Sequence, residues 1–474
     1  MSQKRYLLVL VVLAMLAGVQ KCAADGASEF TQGKTYQKAG QYEQAEAVYQ
    51  SVVSNYPGTN YALQSQKRIA IVNIKMRRFD AVDAAVNKLK TDFASEPNLP
   101  AVLYSVAKTY EISKHHVQRA QSLYQYIGQS CSGPFAEKSQ LDSLKINILG
   151  LIEADDLTGA ASAVSSLKTS YSDNSYLPTV LYMIGKRHDR NGVLNEAAKT
   201  YQGIIDNYSG SSSAAKARLD LRKVQIFGYI EADDANSVSA VSQLVSEFSS
   251  DSYLPAVLWL IAEKYERCEQ YAAAKSLSQQ IVQNYPNSPQ AKKAAICAQK
   301  NQLIMDIDAG QAVESGVNQL IMDFSDNPDL PLAVLRIAEQ YYTKAQELER
   351  DGQDKQTTGK LEKAAAMGQM VIDDLEACAA TGYACYFTGD CYRLLGQYAD
   401  SVSCYEKFIE EYPADSMTWN SLFMVGRGYQ NLKAAGTVEA EQADAKIRTA
   451  YQRLVDEYPD CPAANAAQKW LEKN

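Results

Sequence analysis

One dipeptide returns at a nearly constant interval and constrains the fold more than any other feature of the chain. Leu-Pro occurs at intervals of 78, 77 and 76 residues, at Leu99-Pro100, Leu177-Pro178, Leu254-Pro255 and Leu330-Pro331. An aromatic residue that ends the preceding helical pattern stands before each dipeptide: Phe93, Tyr171, Phe248 and Phe324. A sequence that repeats itself on this scale predicts stacked structural units rather than a few globular domains.

The stretch from Leu254 to Pro286 shows what one unit contains. Pro255 suits the first turn of a helix, where its missing N–H costs no hydrogen bond, and apolar residues follow at helical spacing to Tyr265. A second helical series begins at Tyr271 and stops at Asn284-Tyr285-Pro286. Each unit is therefore predicted to be an antiparallel helical hairpin, and two hairpins fit between successive Leu-Pro dipeptides.

The apolar period stays helical after residue 27, and no alternating strand pattern occurs. We therefore predict an all-α fold, an α-solenoid of antiparallel helical hairpins. Residues 25–350 form the predicted N-terminal solenoid, and residues 351–474 continue it with lengthened hairpins. The period is interrupted by LERDGQDKQTTGK, before a helix predicted to start at Lys360, and by NLKAAGTVEAEQ after Tyr429. Each insertion is either a contact loop or a tolerated extension of an exposed turn.

A small residue, spaced aromatics, a turn glycine and a terminal proline form a motif that resembles the tetratricopeptide repeat. The first occurrence is Gly33, Tyr36, Gly40, Tyr42, Ala45, Tyr49 and Pro57. Two more occurrences are Ala262, Tyr265, Tyr271, Ala274 and Pro286, and Gly389, Tyr392, Gly396, Tyr398, Tyr405 and Pro413. The resemblance covers residues 27–473 and implies a right-handed superhelix whose concave face holds a protein or peptide. The Asn-Tyr-Pro helix ends resemble bacterial cell-envelope members of the outer-membrane assembly and TolA-binding type.

The N-terminal segment has the pattern of a secretory signal peptide, predicted to span residues 1–24. Lys4-Arg5 precede an apolar run from Tyr6 to Val19, and small residues follow at Cys22-Ala23-Ala24. The apolar run is shorter than the roughly 20 residues that a membrane span needs. We expect an exported protein of the periplasm or cell envelope. Lipidation at Cys22 is the alternative, although Lys21 stands where the lipoprotein motif wants a small residue.

The charge of the chain argues against nucleic acid as a partner. The formal net charge is -8, and removing residues 1–24 takes away three basic residues and no acid, which gives -11. Phosphate recognition needs clustered lysine and arginine, and the sequence has no such cluster.

The residues that usually carry catalysis or bind metals form no recognisable motif. Of three histidines, His115-His116 fit a solvated turn, and His188 replaces a packing aromatic. Eight cysteines follow residue 24, at Cys131, Cys268, Cys297, Cys378, Cys385, Cys391, Cys404 and Cys461. The spacing of the cysteines disfavours a zinc site. The favoured disulfide joins Cys378 to Cys385 across an interhelix turn. The alternative is that several of the cysteines are small buried residues without a disulfide. We expect no enzyme activity, no cofactor and no resident metal.

The candidate binding residues form a stripe along the first helices of the hairpins. Alignment of the hairpins places a mainly aromatic set at one position: Phe30, Tyr104, Tyr182, Trp259, Leu335, Tyr386 and Phe423. Four residues later, on the same helix face, stand Lys34, Lys108, Lys186, Glu263, Glu339, Asp390 and Arg427. In the tetratricopeptide family this face lines the concave groove. The resemblance thus implies aromatic anchors in a groove that is basic at first and acidic after Glu263.

The same stripe has a purely structural interpretation. Its aromatics would fill the gaps between neighbouring hairpins, and its charges would form an ordinary solvated face. For function, two classes stay open: a scaffold or adaptor that binds envelope proteins in its groove, and a module that binds glycan or peptidoglycan. Scattered charges and one aromatic per double repeat favour a protein partner.

Overall fold

The computed structural model describes residues 25–113, 116–375 and 378–474, and every regular element among them is a helix. The predicted signal peptide, Cys22 and His115 lie outside these residues. In the first part of the chain the helices are α1 (Ala27–Lys38), α2 (Tyr42–Asn55), α3 (Asn60–Lys75), α4 (Phe79–Asp92), α5 (Leu99–Ile112), α6 (Val117–Ser130), α7 (Pro134–Glu153), α8 (Leu157–Ser170), α9 (Leu177–Arg190), α10 (Leu194–Asn207) and α11 (Ser212–Glu231).

The remaining helices are α12 (Asn236–Glu247), α13 (Leu254–Arg267), α14 (Tyr271–Asn284), α15 (Pro289–Asp308), α16 (Glu314–Asp323), α17 (Leu330–Arg350), α18 (Asp354–Asp373), α19 (Ala379–Leu394), α20 (Tyr398–Glu411), α21 (Thr418–Ala434), α22 (Ala440–Glu457) and α23 (Ala464–Lys473). Successive helices pair as hairpins, which confirms the predicted all-α solenoid of antiparallel helical hairpins.

The described part of the chain divides into two compact units, one ending at Val224 and one beginning at Gln225, and the division falls inside α11. Each unit has its own buried core of Leu, Ile, Val, Ala and Tyr side chains. The boundary predicted at residue 350 falls at the end of α17 and stays a prediction.

Small residues on one helix of a hairpin let an aromatic ring of the next helix approach closely. A Cβ atom at Gly33 would lie 2.5 Å from the ring of Tyr49, and one at Gly426 would overlap the ring of Tyr451. In the hairpin of α13 and α14 the small residue is Ala262, and both Ala262 and Ala274 on the facing helix are fully buried. The motif residues therefore set the distance between the two helices of a hairpin.

Both insertions lengthen helices rather than loops. α17 continues to Arg350 and α18 begins at Asp354, so the predicted start at Lys360 is wrong. Only three residues separate the two helices, because the inserted Leu, Glu, Arg, Lys and Gln are good helix formers. In the second insertion, α21 ends at Ala434 and α22 begins at Ala440. The predicted lengthened hairpins are present, with short turns.

The predicted disulfide between Cys378 and Cys385 is wrong, because no turn separates the two residues. Cys378 is the N-cap of α19, and Cys385 lies seven positions further along the same helix. That spacing corresponds to a rise of about 10 Å, beyond the reach of roughly 7 Å between bridged Cα atoms. All eight described cysteines are free, and Cys297, Cys385, Cys391 and Cys404 are buried. These four are small core residues, as in the alternative interpretation.

Within the described ranges, no three His, Cys, Asp or Glu residues lie close enough together to hold a metal ion. None of the helices that the structure describes is both long and apolar enough to span a membrane.

Candidate binding groove

The predicted stripe residues Tyr104 and Lys108 on α5 contact a buried aspartate on α7. The Tyr104 hydroxyl donates a hydrogen bond to Asp142 at 2.7 Å, and Lys108 Nζ lies 2.9 Å from the same carboxylate. The fully buried Lys145 completes the group, 2.7 Å from Asp142 and 2.5 Å from Glu111. We call these five residues the first cluster. The chain's own tyrosine and lysines surround the carboxylate, and both Asp142 and Lys145 are fully buried.

The same arrangement recurs 78 residues later between α9 and α11, as the second cluster. Tyr182 donates to Asp220 at 2.6 Å, Lys186 lies 3.4 Å from Asp220, and Lys223 lies 3.1 Å from it. Lys223 also pairs with Asp189. Both clusters therefore contain one tyrosine, two lysines and two acids in the same contacts.

The electrostatics of these clusters show ion pairs that offset the cost of burial. Burial by itself would raise the pKa of Asp220, but Lys223 and Lys186 hold that pKa below its usual value. Burial would likewise lower the pKa of Lys223, and Asp220 and Asp189 hold it above its usual value. A buried charge is tolerated when each partner is paired and hydrogen-bonded in this way. Lys108 and Lys186 are thus engaged within the chain, and a role for them toward a partner stays a prediction.

The stripe residues of the terminal hairpins also pack inside their units. Phe30 lies 5.8 Å from Tyr49 between ring centroids, and Lys34 Nζ lies 5.6 Å from the Phe30 ring. In the second unit, the ring of Phe423 stacks on Tyr451. Tyr386 accepts a hydrogen bond of 2.5 Å from the Asn420 amide and packs edge-on against Tyr405.

A third copy of the cluster lies between α13 and α15, and three of its residues differ in chemistry from the first two copies. The equivalent residues are Trp259, Glu263, Glu266, Cys297 and Lys300. A tryptophan thus replaces the tyrosine, a glutamate replaces the first lysine, and a thiol replaces the central aspartate. We call these five residues the third cluster.

Cys297 is buried at the base of the third cluster. Its Sγ donates to Glu266 Oε1 at 2.9 Å and accepts a hydrogen bond from Ser278 Oγ at 3.2 Å. Lys300 Nζ lies 2.6 Å from the same Glu266 oxygen. Burial, reinforced by the Glu266 carboxylate, raises the pKa of the Cys297 thiol to about 12. The residue is therefore a neutral thiol at physiological pH.

We call the first two clusters closed, because the chain's own tyrosine and lysines bind the central carboxylate, and the third cluster open, because a cavity lies over it. A cavity of about 460 Å³ lies over Cys297, between one face of α13, one face of α15 and the start of α17. A second cavity of about 530 Å³ adjoins it and shares Glu266, Arg267, Lys300 and Arg336 with it. We call the two together the groove. On α15 its lining residues run from Lys293 to Asp308, about 22 Å of helix.

The groove combines exposed apolar side chains with paired and unpaired charges. Leu332 is 45% exposed and lines the same cavity as Trp259. Arg336 pairs with Glu339 at 2.6 Å, and Lys344 pairs with Glu347 at 2.7 Å. Arg267 and Lys293 also line the cavity.

Neither Arg267 nor Lys293 forms an ion pair with any residue that the structure describes. Both lie near Glu263. Burial raises the pKa of Glu263, and Arg267 and Lys293 act in the opposite direction. Glu263 therefore attracts both cations without forming a direct ion pair with either of them.

Three residues of the predicted stripe, Trp259, Glu263 and Glu339, line this groove, whereas Tyr104, Tyr182, Lys108 and Lys186 belong to the closed clusters. Sequence reasoning missed Arg267, Lys293, Leu332 and Arg336. Arg267 follows Glu263 by one helical turn and could have been found by extending the stripe. Lys293 lies on α15, a helix without the motif residues. An alignment of the helices that carry the motif therefore does not include Lys293.

The tetratricopeptide repeat family matches residues 27–59, 256–288 and 388–415. No curated protein sequence is significantly similar to the chain. A solved tetratricopeptide repeat protein from Parabacteroides merdae is 15% identical, with a TM-score of 0.33 over 60% of this chain and 98% of its own. Human IFIT1, solved as a dimer with m7Gppp-AAAA, is 12% identical, with a TM-score of 0.38 over 95% of this chain and 89% of its own. At such scores the likeness does not extend to function. The chain carries tetratricopeptide repeats at the three places where the sequence motif occurs.

Proposed function

We propose that the protein is a non-enzymatic scaffold that binds a segment of another protein in the groove over α13, α15 and α17. Tetratricopeptide repeats are typical of protein-interaction scaffolds. The observation that carries the proposal is the contrast between the clusters: two are filled by the chain's own lysines, and the third is open. An opening of this kind presents surface to a partner.

The lining of the groove suits a protein segment. Half-buried Trp259 and exposed Leu332 offer apolar contact area, and Arg267 and Arg336 offer guanidinium groups of the kind enriched in interfaces. An extended segment of about seven residues would span the roughly 22 Å of groove along α15.

The one thiol in the groove supports a binding role rather than catalysis. A nucleophilic cysteine needs a lowered pKa, whereas burial raises that of Cys297. Cys297 is therefore suited to packing and hydrogen bonding.

The proposed location is the bacterial cell envelope, and the proposed partner is an envelope protein. The support is the signal-like segment before residue 25 and the resemblance of the Asn-Tyr-Pro helix ends to envelope proteins. A lipid on Cys22 would tether the protein to a membrane surface.

The proposal is tested by placing a photo-crosslinking amino acid at Leu332 in the groove and, as a control, at Met322 on α16. Met322 is 71% exposed and does not line the groove. We expect one defined envelope protein to crosslink at 332 and not at 322, and the crosslink to disappear in a Trp259→Ala background that melts normally. Equal crosslinking at both positions would contradict the proposal. Retention on insoluble cell wall without any protein crosslink would favour the glycan-binding alternative.

A further inference from the structure

We propose that the groove takes a lysine side chain of the partner segment, whose ammonium group binds at the third cluster in the position that Lys108 and Lys186 hold in the closed clusters. This inference rests on the proposed function and names the chemistry of the partner at one place in the groove. It is carried by a comparison of the three clusters.

The first cluster shows what this part of the fold binds. Lys108 Nζ lies 2.9 Å from Asp142 and 3.2 Å from Glu111. The centroids of the Tyr104 and Tyr124 rings lie 5.5 and 5.6 Å from the same nitrogen. Two carboxylates and two aromatic rings therefore surround one ammonium group.

The second cluster binds an ammonium group at the same position. Lys186 Nζ lies 3.4 Å from Asp220 and 3.9 Å from Asp189. The rings of Tyr182 and Tyr201 pair at 5.9 Å between centroids, as Tyr104 and Tyr124 do in the first cluster. Two copies of the repeat thus share one binding position for a cation.

The third cluster has lost this ammonium group and has kept groups that bind one. Glu263 replaces the lysine, whereas Glu266 stands at the position of Glu111 and Asp189. Trp259 replaces the tyrosine, and tryptophan is the aromatic residue that binds cations best. Trp259 and Glu266 both line the cavity of about 460 Å³.

The carboxylate of Glu266 has one oxygen to offer to a partner. In the first cluster, Glu111 binds Lys145 through Oε1, and its Oε2 receives Lys108 and the Tyr124 hydroxyl. In the third cluster, Lys300 and Cys297 both contact Oε1 of Glu266. The residues at the positions of Lys108 and Tyr124 are now a glutamate and a serine. A partner's ammonium group at Oε2 would therefore replace a contact that the third cluster has lost.

A missing aromatic ring provides space for the partner's side chain. Tyr124 packs on the ring of Tyr104 and donates a hydrogen bond to Glu111. The residue at its position is Tyr201 beside the second cluster and Ser278 beside the third. The counterparts of the residues that Tyr124 contacts line the cavity. The cavity thus lies beside the position where the closed clusters hold a tyrosine ring.

The balance of charge also favours a cation. Each closed cluster holds two lysines and two acids, whereas the third cluster holds one lysine and two acids. The lining of the whole groove holds seven acids and five cations. A lysine from the partner would restore the balance of the closed clusters.

Arg267 and Lys293 do not take the place of the missing lysine. Their counterparts in the preceding repeat are Arg190 and Lys216, which occur there together with Lys186. The third cluster therefore has the same two neighbouring cations as the second cluster and one lysine fewer of its own.

The test measures the binding of a fluorescent ten-residue peptide to the full chain. The peptide alternates lysine and leucine and is acetylated and amidated at its ends. A second peptide has glutamate in place of each lysine, and a third has glutamine in place of each lysine and a free N-terminal amine. We expect only the lysine peptide to bind. Equally tight binding of the third peptide would assign the site to a chain terminus, which overturns the side-chain proposal.

Glu263→Lys returns a lysine to the third cluster. It should weaken binding of the lysine peptide by at least about tenfold, because the internal ammonium group then fills the site. The matched control is Glu410→Lys, which makes the same charge change at an exposed residue of α20 outside the groove. The control should weaken binding by less than about twofold, because salt screens an exposed charge. Similar losses in the two variants would mean that the peptide responds only to the net charge of the chain, which overturns the inference.

A second variant fills the cavity without a change of charge. Ser278→Tyr restores the residue of the closed clusters and should also weaken the lysine peptide by at least about tenfold, because the ring occupies the space of the side chain. Unchanged binding in Glu263→Lys, with a normal melting temperature, would overturn the inference, and so would tighter binding of the glutamate peptide. If the inference fails while the crosslink at position 332 persists and still depends on Trp259, the scaffold function stands.

Discussion

The Tyr182 hydroxyl on α9 donates a 2.6 Å hydrogen bond to Asp220 on α11, a residue 38 positions away in the sequence. The same contact joins Tyr104 to Asp142 with the same separation. It links the first helix of one hairpin to the first helix of the next. A polar contact between hairpins thus recurs in register with the repeat. Removing this contact should lower the free energy of unfolding.

Removal of Asp220 should destabilise the fold strongly. Asp220→Ala leaves Lys223, which is buried, without its central carboxylate, and breaking such a buried pair typically costs about 3–5 kcal/mol. Lys199→Ala removes one partner of an exposed pair with Glu196 and should cost well under about 1 kcal/mol. Thermal and urea unfolding of both variants measure the difference. Similar losses in the two variants would mean that the second cluster does not stabilise the fold.

The hairpins were predictable from sequence, because the apolar period, the Leu-Pro dipeptides and the small-aromatic pairs are local signals. The closed clusters were not predicted, because Asp142 and Asp220 lie on helices without the motif and meet the stripe only through packing between hairpins. The sequence did contain a signal for the third cluster. Positions 142, 220 and 297 repeat at the Leu-Pro interval, and the residue changes from aspartate to cysteine only at the last.

His188 should make stability fall at mildly acidic pH. Burial lowers the pKa of His188 below its usual value of about 6.5, with Glu196 acting in the opposite direction. Below about pH 6.5 the histidine therefore binds a proton more readily in the unfolded chain than in the folded chain. The stability that neutral His188 contributes is complete above about pH 6.5 and is lost as the pH falls below that value.

The matched variant for this pH effect is His188→Tyr, since tyrosine stands at the equivalent positions Tyr110, Tyr265 and Tyr341. The melting temperature of the variant should be less dependent on pH between about 5 and 7. Parallel curves for the variant and the parent protein would assign the acid sensitivity to other groups.

Ala274 on α14 should not accept a large side chain, because it is fully buried where two helices meet. Ala274→Arg forces a charge into that contact and should cost several kcal/mol, whereas Ala274→Gly should cost only about 1 kcal/mol. Unfolding experiments on the two variants decide the matter. Equal melting temperatures would place this residue away from the helix contact.

Two aromatics at equivalent positions of the stripe should respond differently to truncation. Tyr182→Ala removes the hydroxyl that donates a hydrogen bond to Asp220, so this variant should have a lower melting temperature. Trp259 is half-buried and lines the cavity, so Trp259→Ala should lower the melting temperature less than Tyr182→Ala and weaken partner capture by about 2 kcal/mol. The opposite pattern would move the binding surface to the first unit.

The change from aspartate to cysteine at the centre of the third cluster has an evolutionary consequence. A repeat array can acquire a recognition site when one copy loses an internal contact, because the duplicates keep the ancestral packing elsewhere. Residues 263 and 297 are then expected to have diverged together in related chains, while residues 108 with 142, and 186 with 220, remain coupled as lysine and aspartate.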